Sequence, residues 1–160
     1  MRFWLVLILS LVLLAAAGCG KQKEPPSETP QAQGPGPIQP TAIDFDKVQE
    51  MAPTGDVCKA VHAELQPIFT KVFGGAKLSM FFQMGEGGNH LTYALKRQTA
   101  GEDAEPLKKE LESGGYTFGQ DSSNGDMKTL SFGKKIAGKD CTVTVGMTVY
   151  DQRLGVAVFY

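Results

Sequence analysis

The run "CTVTVGMTVY", Cys141 to Tyr150, alternates apolar and polar residues, and "RLGVAVFY", Arg153 to Tyr160, repeats the pattern after Asp151 and Gln152. Strict period two over this length specifies a strand with one buried face. Two such runs in succession specify a hairpin. Cys141, Val143, Val145, Met147 and Val149 share one side, and Thr142, Thr144 and Thr148 share the other. A two-residue turn pairs Val149 with Leu154, Met147 with Val156, Val145 with Val158 and Val143 with Tyr160. The turn has no glycine, which leaves a longer loop as the alternative. A slip of one residue would bury the threonines, so the choice of face is firm in either case.

The rest of the chain supplies what this sheet packs against. Thr54 caps a helix through "GDVCKAVHAELQPIFTKVF", with Val61, Leu65, Ile68 and Val72 at helical spacing and Cys58 and Phe69 flanking the stripe. Pro67 must kink or restart that helix, and Gly74 and Gly75 end it. "KLSMFFQM" then alternates with Leu78, Met80, Phe82 and Met84 toward the core. "GEGGN" turns, and "HLTYALKRQ" returns with Leu91, Tyr93 and Leu95 inward. A second helix fits "DAEPLKKELESGG", with Asp103 as its cap and Pro106 in its first turn. From Tyr116 onward the pattern is all strand, and Asp121 to Asp126 reads as a hairpin connection. The expected class is α+β, a two-layer sandwich of an antiparallel sheet with two helices on one face, in the order α-β-β-α-β-β-β(-β). Thr54–Gln98 and the part from Asp103 onward share the plan helix, Gly-Gly, strand, turn, strand. "VFGGAKLSMFF" and "LESGGYTFGQD" are only weakly alike in sequence.

The amino-terminal part follows a different logic. Arg2 precedes an apolar stretch, Phe3 to Leu14, and small residues follow up to Gly18. That is the layout of a secretory signal, expected over 1–18, and the stretch is short for a membrane-spanning helix. Ala16-Ala17-Gly18-Cys19 resembles the lipobox of bacterial lipoproteins, with Ala16 where that family usually carries leucine. The resemblance implies that Cys19 is diacylated on sulfur and becomes the new amino terminus. It also implies a palmitate-type membrane anchor, because two or three acyl chains hold stably where one holds marginally. Gly20 stands where aspartate would resemble an inner-membrane retention signal. The implied place is therefore the cell envelope, at the outer membrane facing the periplasm if the cell has two membranes. Residues 19–42 are rich in Pro, Gln, Gly and Glu and read as a tether spanning about 25 to 70 Å. Residues 43–160 read as one α+β domain.

With Cys19 taken by lipid, that placement leaves Cys58 and Cys141 as a disulfide pair in an oxidising compartment. The chain carries 16 Lys and Arg against 17 Asp and Glu, and its lysines are scattered. No basic stripe points to nucleic acid. Cys58 and His62 are four apart on one helix face, but a cysteine with a disulfide partner is expected to be structural. Met80, Met84 and His90 flank one turn, yet both methionines share the alternation of Leu78 and are expected in the core. No metal site or cofactor is therefore expected. The glycine-rich turn joins two strands and carries no lysine, unlike a phosphate-binding loop.

The expected function is a non-enzymatic, lipid-anchored envelope domain that binds a protein or an envelope polymer. Two alternatives stand beside it: an enzyme with a dispersed site, or an accessory subunit of one; and a small-ligand carrier. A buried, charge-perturbed carboxylate near a cleft would mark the enzyme. A pocket lined by Phe69, Phe82 and Tyr93 would mark the carrier. The candidate binding face is the sheet face away from the helices: Phe81, Lys96, Thr142, Thr144, Thr148 and Phe159, with Ser79, Gln83 and Thr92 beside them. Gly146, Gly155 and Ala157 flatten it, and Phe81 and Phe159 supply its aromatic anchors.

Overall fold

A computed structural model describes residues 42–160, Glu86 excepted. The signal segment, Cys19 and nearly all of the tether lie outside the described residues. A 3-10 turn, Phe45–Lys47, leads to helix α1, Asp56–Phe73, and to strands β1, Ala76–Gln83, and β2, Gly88–Leu95, and a second, Gly101–Asp103, follows β2. Helix α2, Ala104–Ser113, precedes β3, Thr117–Asp121, β4, Met127–Ile136, β5, Lys139–Thr148, and β6, Arg153–Phe159. The class is α+β: two helices and a six-stranded sheet, every strand pairing antiparallel in the spatial order β1-β2-β6-β5-β4-β3.

Helix α1 presents Val57, Val61, Leu65, Phe69 and Phe73 to the core at four-residue intervals, while Ile68 and Val72 lie half-buried at its margin. Each such large apolar side chain contributes about 1.5–3 kcal/mol when fully buried. The helix runs through Pro67 as one element. The carbonyl that Pro67 leaves unpaired belongs to Ala63, and both residues are exposed, so water can satisfy it. Gly74, at φ +76°, supplies the left-handed residue that ends α1. In α2, Leu107 and Leu111 are buried beneath Tyr116 and Phe132 of the same core. Asp103 precedes α2, but its carboxylate turns away from the helix to Arg97 and to the Ala100 N–H.

The sheet side of the core is built from Leu78, Leu91, Tyr93, Val143, Val145, Met147, Leu154, Val156 and Val158. The β5–β6 faces agree with the alternation, but the register is displaced by two residues. Met147 pairs with Leu154, Val145 with Val156 and Val143 with Val158. The connecting turn is longer than two residues because Tyr150 takes a left-handed conformation, φ +66°, without glycine. Buried Thr99 fastens that turn: its N–H and hydroxyl donate to Asp151 O, its hydroxyl reaches Thr148 O at 2.5 Å, and its carbonyl receives Tyr150 N–H.

The larger departure is in β1. A β-bulge between Leu78 and Met80 places Met80 opposite Thr92, Phe81 opposite Leu91 and Phe82 opposite His90. Beyond the bulge every side chain has changed face relative to simple alternation. Phe81 therefore packs against the core, and Met80, Phe82 and Met84, expected inside, stand 41–52% exposed. Ser79 sits in the bulge and donates its hydroxyl to Thr92 O. Strand β3 carries its own bulge, between Phe118 and Gln120, at positions forty residues further along.

Cys58 and Cys141 are both buried in the core, as thiols. Burial pushes the Cys58 thiol above its ordinary value, Tyr160 opposes that, and the proximity of Cys141 adds to it. Burial likewise raises Cys141. The paired expectation thus meets two thiols within electrostatic reach of each other.

Candidate functional site: the open face of the sheet

Alternation on β2, β4, β5 and β6, and the bulge on β1, compose the sheet face turned away from the helices. Its rows follow from the register. One row crosses Phe82, His90, Ala157, Thr144 and Ser131, and the next crosses Met80, Thr92, Gly155, Gly146 and Thr129. Toward the β1–β2 turn a third row crosses Gly88, Phe159, Thr142 and Gly133.

Of the residues expected here, Thr142, Thr144, Thr148 and Phe159 do lie on this face. Lys96 lies at its end, where its N–H donates to Gly75 O. Phe81 does not belong to the face; the bulge gives its place to Phe82. No sequence signal marks that exchange, because "FF" supplies an aromatic ring to whichever face the local register selects.

Three aromatic rings and a methionine lie at one end of the face. Phe82 lies against His90 with ring centroids 4.9 Å apart. The Phe159 ring leans over Gly88 toward Met84: a side-chain carbon built on Gly88 would stand 3.1 Å from Phe159 Cε1 and 3.5 Å from Met84 Cβ. Gly155 gives the same clearance to His90, whose Cε1 would lie 3.3 Å from a carbon placed there. The two glycines are seats for two rings. Burial lowers the His90 pKa, so the imidazole is neutral through the neutral pH range and presents ring faces rather than charge. Phe82 is 44% exposed and Phe159 47% exposed, so the cluster is open to a partner.

Beside this ridge lies a trough of about 340 Å³, lined by His90, Met127, Thr144, Gly146, Thr148, Asp151, Arg153, Gly155 and Ala157. Its floor is bare backbone, because Gly146 and Gly155 face each other across β5 and β6.

The other readings meet specific groups. Phe69 and Tyr93 are fully buried and packed edge to face, 5.0 Å between centroids, while Phe82 is on the opposite side of the sheet. The three do not line one pocket. Asp103 is the buried carboxylate among the described residues, and Arg97 first, then Ala100 N–H, hold its pKa below the ordinary range. Those contacts bind the loop to α1 through Arg97, whose guanidinium also donates to Val72 O. His62 pairs its Nδ1 with Tyr93 OH at 3.0 Å, and Cys58 is fully buried. Glu64 accepts from Tyr116 OH and Lys134 Nζ, closing the α2 side of the core.

A scan against protein-family models and searches of curated proteins and of solved structures return no match.

Proposed function

We propose that this is a lipid-anchored cell-envelope domain of the two-layer α+β kind that binds a protein or an envelope polymer and carries out no catalysis. Cys19 is the acylated residue, residues 19–42 are the tether, and the open sheet face is the contact surface. The observation that carries the reading is the presence, at one end of the open face, of exposed Phe82, Met84 and Phe159 around half-buried His90. Antiparallel sheets commonly show water a polar face. Here one end of that face is aromatic and thioether instead, and aromatic residues and methionine are enriched in interface cores.

The test separates binding from folding. In intact envelopes, Phe82→Ser combined with Phe159→Ser should abolish crosslinked recovery of the partner. The purified double variant should melt within a few degrees of the parent, since both side chains are half-exposed. Phe81→Ser should do the reverse, lowering the melting temperature while folded molecules still recover the partner. Undiminished crosslinking in the double variant would remove the open face from consideration.

A further inference from the structure

Simple alternation sends Met80 and Met84 into the core, and on that ground the trio Met80, Met84 and His90 carries no metal site. The bulge at Ser79 removes the ground. Met80 stands 52% exposed and Met84 41% exposed, on the same open face as His90. His90 also has a lone pair to offer. Its ring is neutral, so one nitrogen is an acceptor, and no hydrogen bond from a described residue occupies either nitrogen. His62, by contrast, engages Tyr93 OH through Nδ1 at 3.0 Å.

Phe82 lies against one face of the imidazole, with centroids 4.9 Å apart and planes at 30°. The ring edge is what stays accessible. That edge leans along the sheet toward Gly155: Cε1 and Nε2 stand 3.3 and 3.6 Å from where a side-chain carbon on Gly155 would be. Gly155 shares its row with Thr92 and Met80. Met84 is in the row of Gly88, on the other side of Phe82.

Reach decides which sulfur can join the imidazole. Met80 is diagonal to His90 across β1 and β2, about 7–8 Å between α-carbons. Bonds of about 2.0 Å to nitrogen and 2.3 Å to sulfur, as small closed-shell ions make, span what the two side chains leave open. Met84 is four residues from Met80, about 13 Å along the strand, so one ion does not bind both. Met127 borders the trough that His90 borders, but three strand spacings, about 14 Å, separate them.

The donors choose the ion. Thioether and imidazole are both uncharged, and thioether is soft. The two rows that hold Met80 and His90 contain no carboxylate and no thiol to attract zinc or a harder cation. A soft, singly charged ion suits the pair, and the Phe82 ring beside it adds a favourable cation–π contact.

We propose that His90 and Met80 bind one Cu(I) ion beside the Phe82 ring, with its remaining coordination position open to solvent. The ion joins β1 to β2 just past the bulge, and it binds and leaves as Cu(I), without electron transfer. The site stands whether or not the face binds a partner. Partner recovery turns on Phe82 and Phe159, whereas copper binding turns on Met80 and His90.

The experiment uses the full chain in detergent, with methionine methyl groups and histidine rings labelled for NMR. Cu(I) is supplied without oxygen as its acetonitrile complex, up to an excess over the three cysteines. The Met80 ε methyl and the His90 ring nitrogens should shift together. They should saturate at a copper concentration on the order of tenfold or more below any response of exposed Met127, the gain from a second ligand held in place. Zn(II) should leave the Met80 methyl unmoved. His90→Phe should abolish the Met80 shift, and Met84→Leu should preserve it. A Met80 methyl unmoved by excess Cu(I) would overturn the proposal, because the copper would then reside at the thiols alone. Equal responses of Met80 and Met127 would also overturn it, as indiscriminate thioether binding. So would a Met80 shift that survives His90→Phe, or one in the parent chain that leaves the His90 ring unchanged.

Discussion

Asp103 accepts two hydrogen bonds from Arg97, at 2.6 and 2.8 Å, and one from Ala100 N–H at 2.7 Å, with its side chain 8% exposed. The depressed pKa fixes the sign of its effect. The folded state holds the carboxylate more strongly than the unfolded chain does, so the stabilisation is complete above the ordinary carboxylate range. It is lost as pH falls below about 4 toward the folded value. Asp103→Asn should cost about 2 kcal/mol at neutral pH, an amount limited by the half-exposed Arg97. Urea unfolding of both proteins from pH 7 to pH 3 would show the two curves converging in acid. A constant separation would mean that the charge is not what matters. Composition and spacing gave no hint of this pair, because Arg97 and Asp103 meet only when the loop between them closes.

At the scale of elements, alternation found the strands and failed only where a strand departs from period two. Leu78 and Val143 were legible as core because their runs are regular around them. Phe81 and Phe82 were not, since a bulge at Ser79 leaves no mark in "KLSMFF". The β5–β6 register was illegible for a related reason. A shift of two keeps every side chain on its face, so the pattern cannot choose between registers. The choice is made by the turn, and the turn is held from outside the hairpin by Thr99. Thr99→Val should therefore cost about 1–2 kcal/mol by leaving the carbonyls of Thr148 and Asp151 short of a donor. Amide exchange should rise first at Val149 to Asp151, and uniform loosening across the sheet would argue against a local latch. The helices were easier: the four-residue spacing from Val57 to Phe73 survives any uncertainty about Pro67.

For the whole molecule, two expectations concern covalent chemistry. Mass spectrometry of the mature amino terminus should show an acylated Cys19, and Cys19→Ala should release the protein from membranes. A mature chain beginning at an unmodified residue would end the anchor reading. For protein taken from the envelope, non-reducing peptide maps should place Cys58 and Cys141 in one linked fragment. Both thiols are buried in the core, and their closure would restrain a loop long enough for about 4–5 kcal/mol by chain entropy, with measured values nearer 2–4. Two free thiols in protein from that source would refute the bond. The function itself was the least legible part. The chemistry-bearing residues are few, and the bulge decides that Phe82 with Met80 and Met84, rather than Phe81, stands on the open face.

The bulge in β1 also bears on how this chain can change length over generations. Two residues of β1 face one of β2 there, so Ser79 is surplus to the pairing. A gene that lost codon 79 would still encode Leu78 opposite Tyr93, Met80 opposite Thr92 and Phe81 opposite Leu91. It would forfeit one hydroxyl and a bend. Loss of Met80 would likewise leave Leu78 opposite Tyr93 and Phe81 opposite Leu91, with Ser79 in the vacated place, whereas loss of Lys77 would move a neighbouring side chain to the wrong side of the sheet. Gly119 occupies the matching place in β3, between Phe118 and Gln120. Each edge strand thus holds one surplus residue whose single-codon deletion should be nearly silent, whereas β2, β5 and β6, which carry no bulge, hold none.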